Sequence, residues 1–389
     1  MKFFREEQKI IPRYDILLVA SVVLLTSLGL VVLYSASYLF ALNQPHRFPD
    51  GLAPLRGNLL ACILGLVGFF IASRMNLQWL QKKKSIMILV LVTVAFNLLP
   101  LVPIFQPITG QGNVNRWIYI NAGGRTLITF QPSEMIKIIL PIYLAYILNK
   151  NKDNFTSFSS AFLPSLFWML LFSLLVIIQS NYSEAVFIAL VSLGIWFITG
   201  IRFRHISMAI LLLVFVAFLL FMSEAGERMT ARILSFLNRD SFQVEASIAA
   251  VRSGGFLGQG IGQGSLKLRV PEVHGDFVFA SFAEESGFLG VIFYFALISF
   301  FVWAGLREAW RSQIRFNQIL AIALVLSIAV QFLMNIAVVV GIVPTTGIPL
   351  PFFSSGGSSL LMTLIGAGLI VNVSRQNYIA EKEGGRNVG

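Results

Sequence analysis

The sequence has few charged residues, a single cysteine and only three histidines. Charged residues make up 12% of its 389 residues, about half of the ~25% found in an average soluble domain. The lone Cys62 excludes a disulfide framework and a cysteine-based metal site. The histidines, His46, His205 and His274, are too scattered in the sequence to form a zinc motif by spacing.

Apolar residues are abundant instead. They make up 56% of the chain and include 35 phenylalanines. A soluble domain of this length could not bury that much apolar surface and still present a polar exterior. The composition therefore excludes a water-soluble enzyme, a disordered chain and a fibrous protein. It predicts an all-α polytopic membrane protein whose helices are solvated by lipid.

A transmembrane helix needs about 20 apolar residues. Within a single domain, 1–389, the sequence contains ten such segments: 16–38, 56–73, 85–103, 131–148, 161–180, 184–200, 206–222, 284–304, 317–342 and 357–373. Of the 29 Lys and Arg residues, 18 lie in the loops on the side of both termini. Because cytoplasmic loops are enriched in Lys and Arg, we predict that both termini are cytoplasmic. The net charge of +11 then reflects loops beside anionic lipid, and no nucleic-acid partner is predicted.

Residues 223–283 form one large loop on the extracellular or periplasmic side. Met229, Ile233 and Phe236 recur at helical spacing with arginines between them, which predicts an amphipathic helix lying at the outer membrane interface. A second short helix is predicted from about 242 to 251, ended by a glycine pair. Because long ordered loops tend to carry function, we expect this loop to contribute to a site.

Two charged residues lie within the fourth predicted span. Glu134 and Lys137 are three residues apart, so they share one helix face. A charge at mid-membrane costs at least ~2.5–3.5 kcal/mol on insertion scales, so we expect each of the two residues to have a structural or functional role that offsets this cost. They form a structural ion pair or the polar wall of a substrate cavity, and the two alternatives are compatible.

Glu184 and Glu285 begin later spans, where a helix dipole favours a carboxylate. The pattern favours a structural role for Glu184 and leaves capping or function open for Glu285.

Asp276 lies where the large loop re-enters the membrane, and apolar residues follow it at once. Partial desolvation at such a boundary suits a carboxylate that acts as a general base. The alternative is that Asp276 caps the N-terminus of the following helix. The residues themselves leave both alternatives open.

The glycine run over residues 258–264 does not follow a strand and carries no Gly-Lys-Ser/Thr, which excludes a nucleotide-binding loop. Glycines do allow a backbone to approach a bulky or anionic ligand closely. Arg116, Lys267 and Arg269 are candidate phosphate ligands, or else solvated interfacial cations. Residues 341–359 are rich in Pro, Gly and Ser inside a long uncharged stretch, which predicts a rigid re-entrant turn that is buried in protein or lines a wet cavity.

Several motifs in the same order resemble the SEDS family, the shape, elongation, division and sporulation proteins, over nearly the whole chain. They are Asp15…Gly29…Tyr34-Ser35-Ala36-Ser37, Arg116-Trp117-Ile118, Gln131-Pro132-Ser133-Glu134…Lys137, Pro271-Glu272…His274…Asp276-Phe277 and Pro344…Thr346-Gly347…Leu350-Pro351…Ser354…Gly356-Gly357-Ser358-Ser359. Two departures stand out. The family's usual Gln-Pro-Asp-Leu-Gly-Thr has Asn181 in place of the Asp, with Glu184 as a candidate substitute, and its His-Thr-Asp is His274-Gly275-Asp276 here.

The resemblance implies a glycosyltransferase that polymerises lipid II into peptidoglycan strands at the outer face of the cytoplasmic membrane. It implies Asp276 as the catalytic base on the acceptor 4-hydroxyl, and undecaprenyl pyrophosphate as the leaving group. The substrate-binding residues would be Arg116, Glu134, Lys137, Lys267, Arg269, His274, Ser354 and Ser358. A divalent cation, Mg²⁺ or Mn²⁺, is a candidate cofactor, with no other expected.

The implied partners are lipid II, the growing glycan strand, membrane lipid, other divisome proteins and a class B penicillin-binding protein as transpeptidase. The resemblance implies the last as a separate protein, and no Ser-x-x-Lys site occurs in an exposed region of this chain. The stretch that begins at Asn335, with Lys267, favours the division-type FtsW branch over the elongation-type RodA branch. Two other functions stay open on physical grounds: a flippase for lipid II and a non-catalytic divisome scaffold.

Overall fold

The computed structural model describes residues 13–42, 53–105, 116–122, 125–151, 157–238, 241–271 and 273–386. These residues form twelve α-helices: α1 (Ile16–Leu42), α2 (Ala53–Arg74), α3 (Lys83–Leu98), α4 (Ser133–Lys150), α5 (Leu163–Ile178), α6 (Tyr182–Ile198), α7 (Phe203–Phe221), α8 (Glu224–Leu237), α9 (Phe242–Ser253), α10 (Val278–Arg311), α11 (Arg315–Val339) and α12 (Gly357–Arg386). Short 3₁₀ or π turns adjoin several of them.

Eight helical segments of the described chain are long and apolar enough to cross a membrane: those of α1, α2, α3, α5, α7, α10, α11 and α12. The chain is therefore a mostly helical, multi-pass membrane protein, as predicted. Helix α6 has only 17 residues. Helix α4 carries Glu134, Lys137 and Lys150 in its 18 residues. Ten crossings, with these two included, stay a prediction.

Helices α11 and α12 occupy the centre of the bundle, whereas α7 lies at its edge. In the most apolar stretch of each helix, 61% of the residues of α11 and 78% of those of α12 are buried, against 17% for α7. Helix α7 exposes large apolar side chains along most of its length, among them Leu211, Val214, Phe215 and Phe218. Such a surface is stable where lipid, not water, covers it.

Helix α12 ends at Arg386, well beyond the predicted end of the last span at residue 373. The extension is held by polar contacts with the ends of α1 and α10. Ser374 Oγ accepts the Asp15 N–H at 3.2 Å, and Asn377 Nδ2 donates to Glu308 O at 2.8 Å. Hydropathy alone marks where a helix leaves the membrane and misses a polar continuation of this kind.

Helix α10 begins at Val278, earlier than the predicted residue 284, and breaks at Gly287, where φ is 63° and ψ is −166°. The glycine-rich loop after α9 fills this break. The N–H groups of Gln259 and Gly260 donate to the carbonyls of Glu284 and Glu285, each at 3.0 Å. The predicted glycine run therefore brings one backbone close to another, since carbonyls freed by a broken helix must find partners.

The two helices predicted in the large loop are present. Helix α8 contains the amphipathic pattern, and α9 ends with Gly254 as its C-cap. A short antiparallel hairpin was not predicted: β1 (Ile118–Ala122) pairs with β2 (Arg125–Phe130). Its alternating β-branched and aromatic residues on either side of a glycine pair were the available signal.

Candidate functional site

Asp276 lies just before α10, on the segment that joins the large loop to this helix. The N-cap of α10 is Phe277, so the structure does not support the capping alternative for Asp276. Its side chain is partly buried. Its carbonyl accepts a hydrogen bond from Asn335 Nδ2 at 2.7 Å. A Cβ on Gly347, whose φ is 72°, would lie 3.5 Å from Asp276 Oδ2. The carboxylate therefore faces backbone that only glycine readily forms.

An open, mostly apolar groove of about 570 Å³ lies between α6, α8, α11 and the segment that follows α11. Its lining includes Val186, Leu190, Met229, Ile233, Val330, Leu333, Met334 and Val343. Its wall ends in Thr345 and Thr346, and the next residue is Gly347, which faces Asp276. An apolar groove whose wall continues into a segment that faces a carboxylate can hold a molecule with a lipid tail and a polar head.

Two arginines face the same region. The pKa of Arg116 is lowered, chiefly by burial and then by the neighbouring Arg232. Tyr182, Asp276 and Glu184 oppose this shift. Arg116, Arg232 and Asp276 therefore share one electrostatic neighbourhood, and Arg232 also lines the groove. Two guanidinium groups near one groove can bind an anion such as a pyrophosphate.

Arg116 is fixed by the turn between α5 and α6. Its Nε donates to Gln179 O at 3.4 Å, and a second guanidinium N–H donates to Ser180 O. Gln179 in turn donates through Nε2 to Asn97 O at 2.6 Å. The structure thus anchors Arg116 to the ends of α3 and α5, although it precedes a hairpin.

Glu134 and Lys137 form an ion pair, as the spacing predicted, and Glu184 joins it. Lys137 Nζ lies 2.8 Å from Glu134 Oε1 and 3.5 Å from Glu184 Oε1. All three side chains are almost completely buried, and together they carry one lysine against two carboxylates. Asn181, where the family usually has Asp, is the N-cap of α6. Glu184 therefore supplies a carboxylate to this cluster one turn further along the helix.

Lys267 is completely buried and already fully bonded. Its ammonium pairs with Glu285, and it donates to Ser35 Oγ at 3.0 Å. Glu284 accepts the N–H groups of Leu266 and Lys267 at 2.8 and 2.7 Å. These contacts fasten the large loop to α1 and α10. They favour a structural role for Lys267 and Glu285; phosphate binding by Lys267 stays a prediction that no contact supports.

His274 and Arg269 lie on the same loop in different settings. The His274 carbonyl accepts the N–H of Ser355 at 2.9 Å, which ties the loop to the segment before α12. Arg269 is exposed. Substrate binding by either side chain stays a prediction.

Ser354 and Ser358 are both buried and hold backbone in place. Ser354 Oγ accepts the Leu350 N–H at 2.6 Å, and Ser358 Oγ accepts the Gln131 N–H at 3.0 Å. The first bond shapes the predicted re-entrant turn, and the second joins α12 to the start of α4. Their predicted contact with substrate is not tested by these bonds.

A family model described as a cell cycle protein, the FtsW/RodA/SpoVE model, matches residues 15–379. The chain belongs to the FtsW/RodA/SpoVE family. This confirms the SEDS resemblance, because the three names are members of that group.

Curated relatives of the FtsW/RodA/SpoVE family match at similar levels. A protein of Geobacter metallireducens named probable peptidoglycan glycosyltransferase FtsW is 34% identical over 95% of this chain and 97% of its own. One of the same name from Borreliella burgdorferi is 34% identical over 90% and 94%. Stage V sporulation protein E of Bacillus subtilis is 32% identical over 93% and 97%.

Solved structures of this family share the fold. A peptidoglycan synthase complex, described as coordinating polymerization and crosslinking, contains a chain with a TM-score of 0.74 and 24% identity, covering 94% of this chain and 98% of that one. The rod shape determining protein RodA of Thermus thermophilus gives a TM-score of 0.66 at 24% identity over the same shares.

The residues described in the structure bring no three His, Cys, Asp or Glu side chains close enough to hold a metal ion. Mg²⁺ and Mn²⁺ take several oxygen ligands, and among the described residues Asp276 belongs to no such cluster. The predicted Mg²⁺ or Mn²⁺ ion stays a prediction that no cluster of described side chains supports.

Three residues of the site were not predicted as functional. Arg232 stood out in the sequence only as part of an amphipathic helix. Asn335 and Gly347 belong to a stretch that was recognised as unusual, but spacing cannot show which residue faces Asp276. The available signal for Asn335 was an amide in the uncharged stretch after Arg315, where a polar group inside the membrane needs a partner.

Proposed function

We propose that the chain polymerises lipid II into glycan strands at the outer face of the cytoplasmic membrane during cell division. The chain is a peptidoglycan glycosyltransferase, as its curated relatives are named. The observation that carries the proposal is an apolar groove that is lined by Arg232 and by Thr346, the residue before Gly347, which faces the Asp276 carboxylate. A lipid-linked sugar pyrophosphate needs these three elements together.

The membrane orientation belongs to the same proposal. Helices α4 and α6 complete ten crossings, and both termini are cytoplasmic because Lys and Arg are concentrated on their side. The hairpin, α8, α9 and Asp276 then lie at the outer face. The prenyl tail enters the groove from the bilayer, since the lining of the groove is apolar and open.

In the proposed reaction, an Asp276 carboxylate oxygen takes the proton of the acceptor sugar's 4-hydroxyl. The freed oxygen electron pair forms the new bond to the donor's anomeric carbon. The bond from that carbon to the pyrophosphate oxygen breaks, and undecaprenyl pyrophosphate leaves with the electron pair. Arg116 and Arg232 stabilise the negative charge on the leaving group.

The cluster of Glu134, Lys137 and Glu184 shapes the polar part of the cavity in this scheme. It holds one lysine and two carboxyl groups, all almost completely buried. Glu184 of this cluster lies close enough to Arg116 to raise the pKa of its guanidinium.

A polymerase of glycan strands requires a separate crosslinking enzyme. We propose a class B penicillin-binding protein as partner, together with other divisome proteins. The synthase complex that shares this fold is described as coordinating polymerization with crosslinking, which supports a pair of this kind. The names of the curated relatives favour a role in division over one in elongation.

The test uses the full chain in proteoliposomes that contain lipid II. Glycan strands are resolved by gel electrophoresis, and translocation of lipid II is measured in the same vesicles. Asp276→Asn removes the base with little change in shape, so polymerisation should fall about 10²–10⁴-fold. Glu245→Gln is the matched control, because Glu245 is an exposed carboxylate of α9 outside the groove.

Near-normal polymerisation by Asp276→Asn would refute the catalytic assignment. Translocation without strand formation by the unmodified chain would favour the flippase. Neither activity, in the presence of the purified partner, would favour the scaffold.

A further inference from the structure

Two buried carboxamides lie one turn apart on the same face of α11. Gln331 and Asn335 are separated by four residues, so their side chains project from neighbouring positions. They are 3% and 1% exposed. Both donate to backbone carbonyls of the irregular segment between α11 and α12, where no helix supplies partners.

Asn335 differs from Gln331 in what else it holds. Its Nδ2 donates to Ile348 O at 2.8 Å and to Asp276 O at 2.7 Å. Both partners are carbonyl oxygens, which accept only, so the NH₂ group must face them and the amide orientation is fixed. One side chain thus joins α11, the segment with Asp276 and the segment with Gly347.

Gln331 holds the same re-entrant segment through a different pair of hydrogen bonds. Its Nε2 donates to Pro349 O at 2.8 Å and to Ser359 Oγ at 3.2 Å. The two amides therefore share burial, helix face and one partner segment. They differ in the bond to Asp276 O.

We propose that Asn335 is a positioning residue for Asp276, setting the place of the base against the groove through its backbone carbonyl. This inference rests on the proposed role of Asp276 as the base. Asn335 binds the backbone carbonyl of Asp276, so it fixes the position from which the carboxylate projects. Ser355, which donates to His274 O, secures the same short segment two residues earlier.

A displacement of about 1 Å in a reacting group can cost on the order of 10²-fold in rate. Asn335→Leu keeps the size of the side chain and removes both bonds. We expect it to lower kcat for lipid II polymerisation by about 10- to 100-fold, with KM within about twofold. Gln331→Met, the matched control, should lower kcat by no more than about threefold, because the bond to Asp276 O survives. Asn335→Gln should recover part of the loss, since it keeps a donor.

A second measurement reports position independently of catalysis. Asp276→Cys introduces a thiol whose labelling by a membrane-impermeant maleimide can be timed in intact vesicles; the native Cys62 is buried. Adding Asn335→Leu should change the labelling rate several-fold, and adding Gln331→Met should not. If Asn335→Leu does not fold, Asn335→Ala replaces it in both measurements.

The outcomes separate the two proposals. Full activity of Asp276→Asn would end the catalytic assignment, and labelling would still decide whether Asn335 holds this segment. An inactive Asp276→Asn beside equal effects of Asn335→Leu and Gln331→Met would overturn the positioning role. Unchanged labelling with Asn335→Leu would overturn it as well.

Discussion

Lys267 and Asp276 lie on the same large loop, yet their charged groups have different surroundings. Lys267 is completely buried, and its charge is used by Glu285 and Ser35. Asp276 is held by its backbone carbonyl, and its partly buried carboxylate faces Gly347 beside a groove. The contacts of Lys267 therefore favour a structural role, whereas the proposed role of Asp276 rests on its anchored backbone and on the groove-lining segment that it faces.

The comparison explains why residue type alone misleads in this loop. Both residues are charged and lie beside apolar residues, so both are candidates from sequence. Their difference arises from contacts with α1 and α11, which are far away in the chain. Substitutions that remove each kind of contact in turn measure this difference.

The largest effect on stability is expected from Lys267→Met. It leaves the buried Glu285 carboxylate without its partner, which typically costs about 3–5 kcal/mol of unfolding free energy. Lys267→Met combined with Glu285→Gln should recover most of that loss, because no unpaired charge remains. Thermal unfolding in detergent, followed by size-exclusion chromatography, measures both variants.

If Lys267 instead binds substrate, the double variant would fold normally and yet lose polymerisation with a raised KM. That result would move Lys267 into the same class as Asp276. Normal KM in the folded double variant keeps the two residues apart.

A smaller effect, on rate, is expected from Gly347→Ala. At a φ of 72° a residue with a side chain costs ~1–2 kcal/mol, so the backbone that faces Asp276 Oδ2 should shift, although the methyl group itself would make only an ordinary contact, 3.5 Å from that oxygen. We expect kcat to fall about tenfold. Gly356→Ala in the same segment is the control, since its Cβ would meet only an ordinary contact at 3.4 Å. Equal losses in both variants would show that the segment, not the space beside Asp276, limits the rate.

The sequence was sufficient to predict the mostly helical membrane fold, because long apolar runs are a local signal. The Glu134–Lys137 pair was predictable for the same reason, since both residues share one helix face. The break of α10 at Gly287 could not be predicted in this way. It is stabilised by backbone N–H groups of the loop at Gln259 and Gly260, which donate to the carbonyls next to the break. Asn335 was missed because its partner, Asp276 O, lies 59 positions away in the chain. Contacts of that range depend on packing, which periodicity does not encode.

The smallest effect is expected at the opposite end of the bundle, from Glu381→Gln. Glu381 Oε1 lies 2.8 Å from an Arg311 nitrogen, but the two side chains are 48% and 47% exposed. Water and salt screen such a pair, so its loss should cost less than about 1 kcal/mol of unfolding free energy. The cost should shrink further in high salt, whereas the cost of Lys267→Met should not. Glu381→Gln could instead lower the unfolding free energy as much as Lys267→Met does, and with as little dependence on salt. Burial would then not distinguish the two ion pairs, and the structural role inferred for Lys267 would have no physical basis.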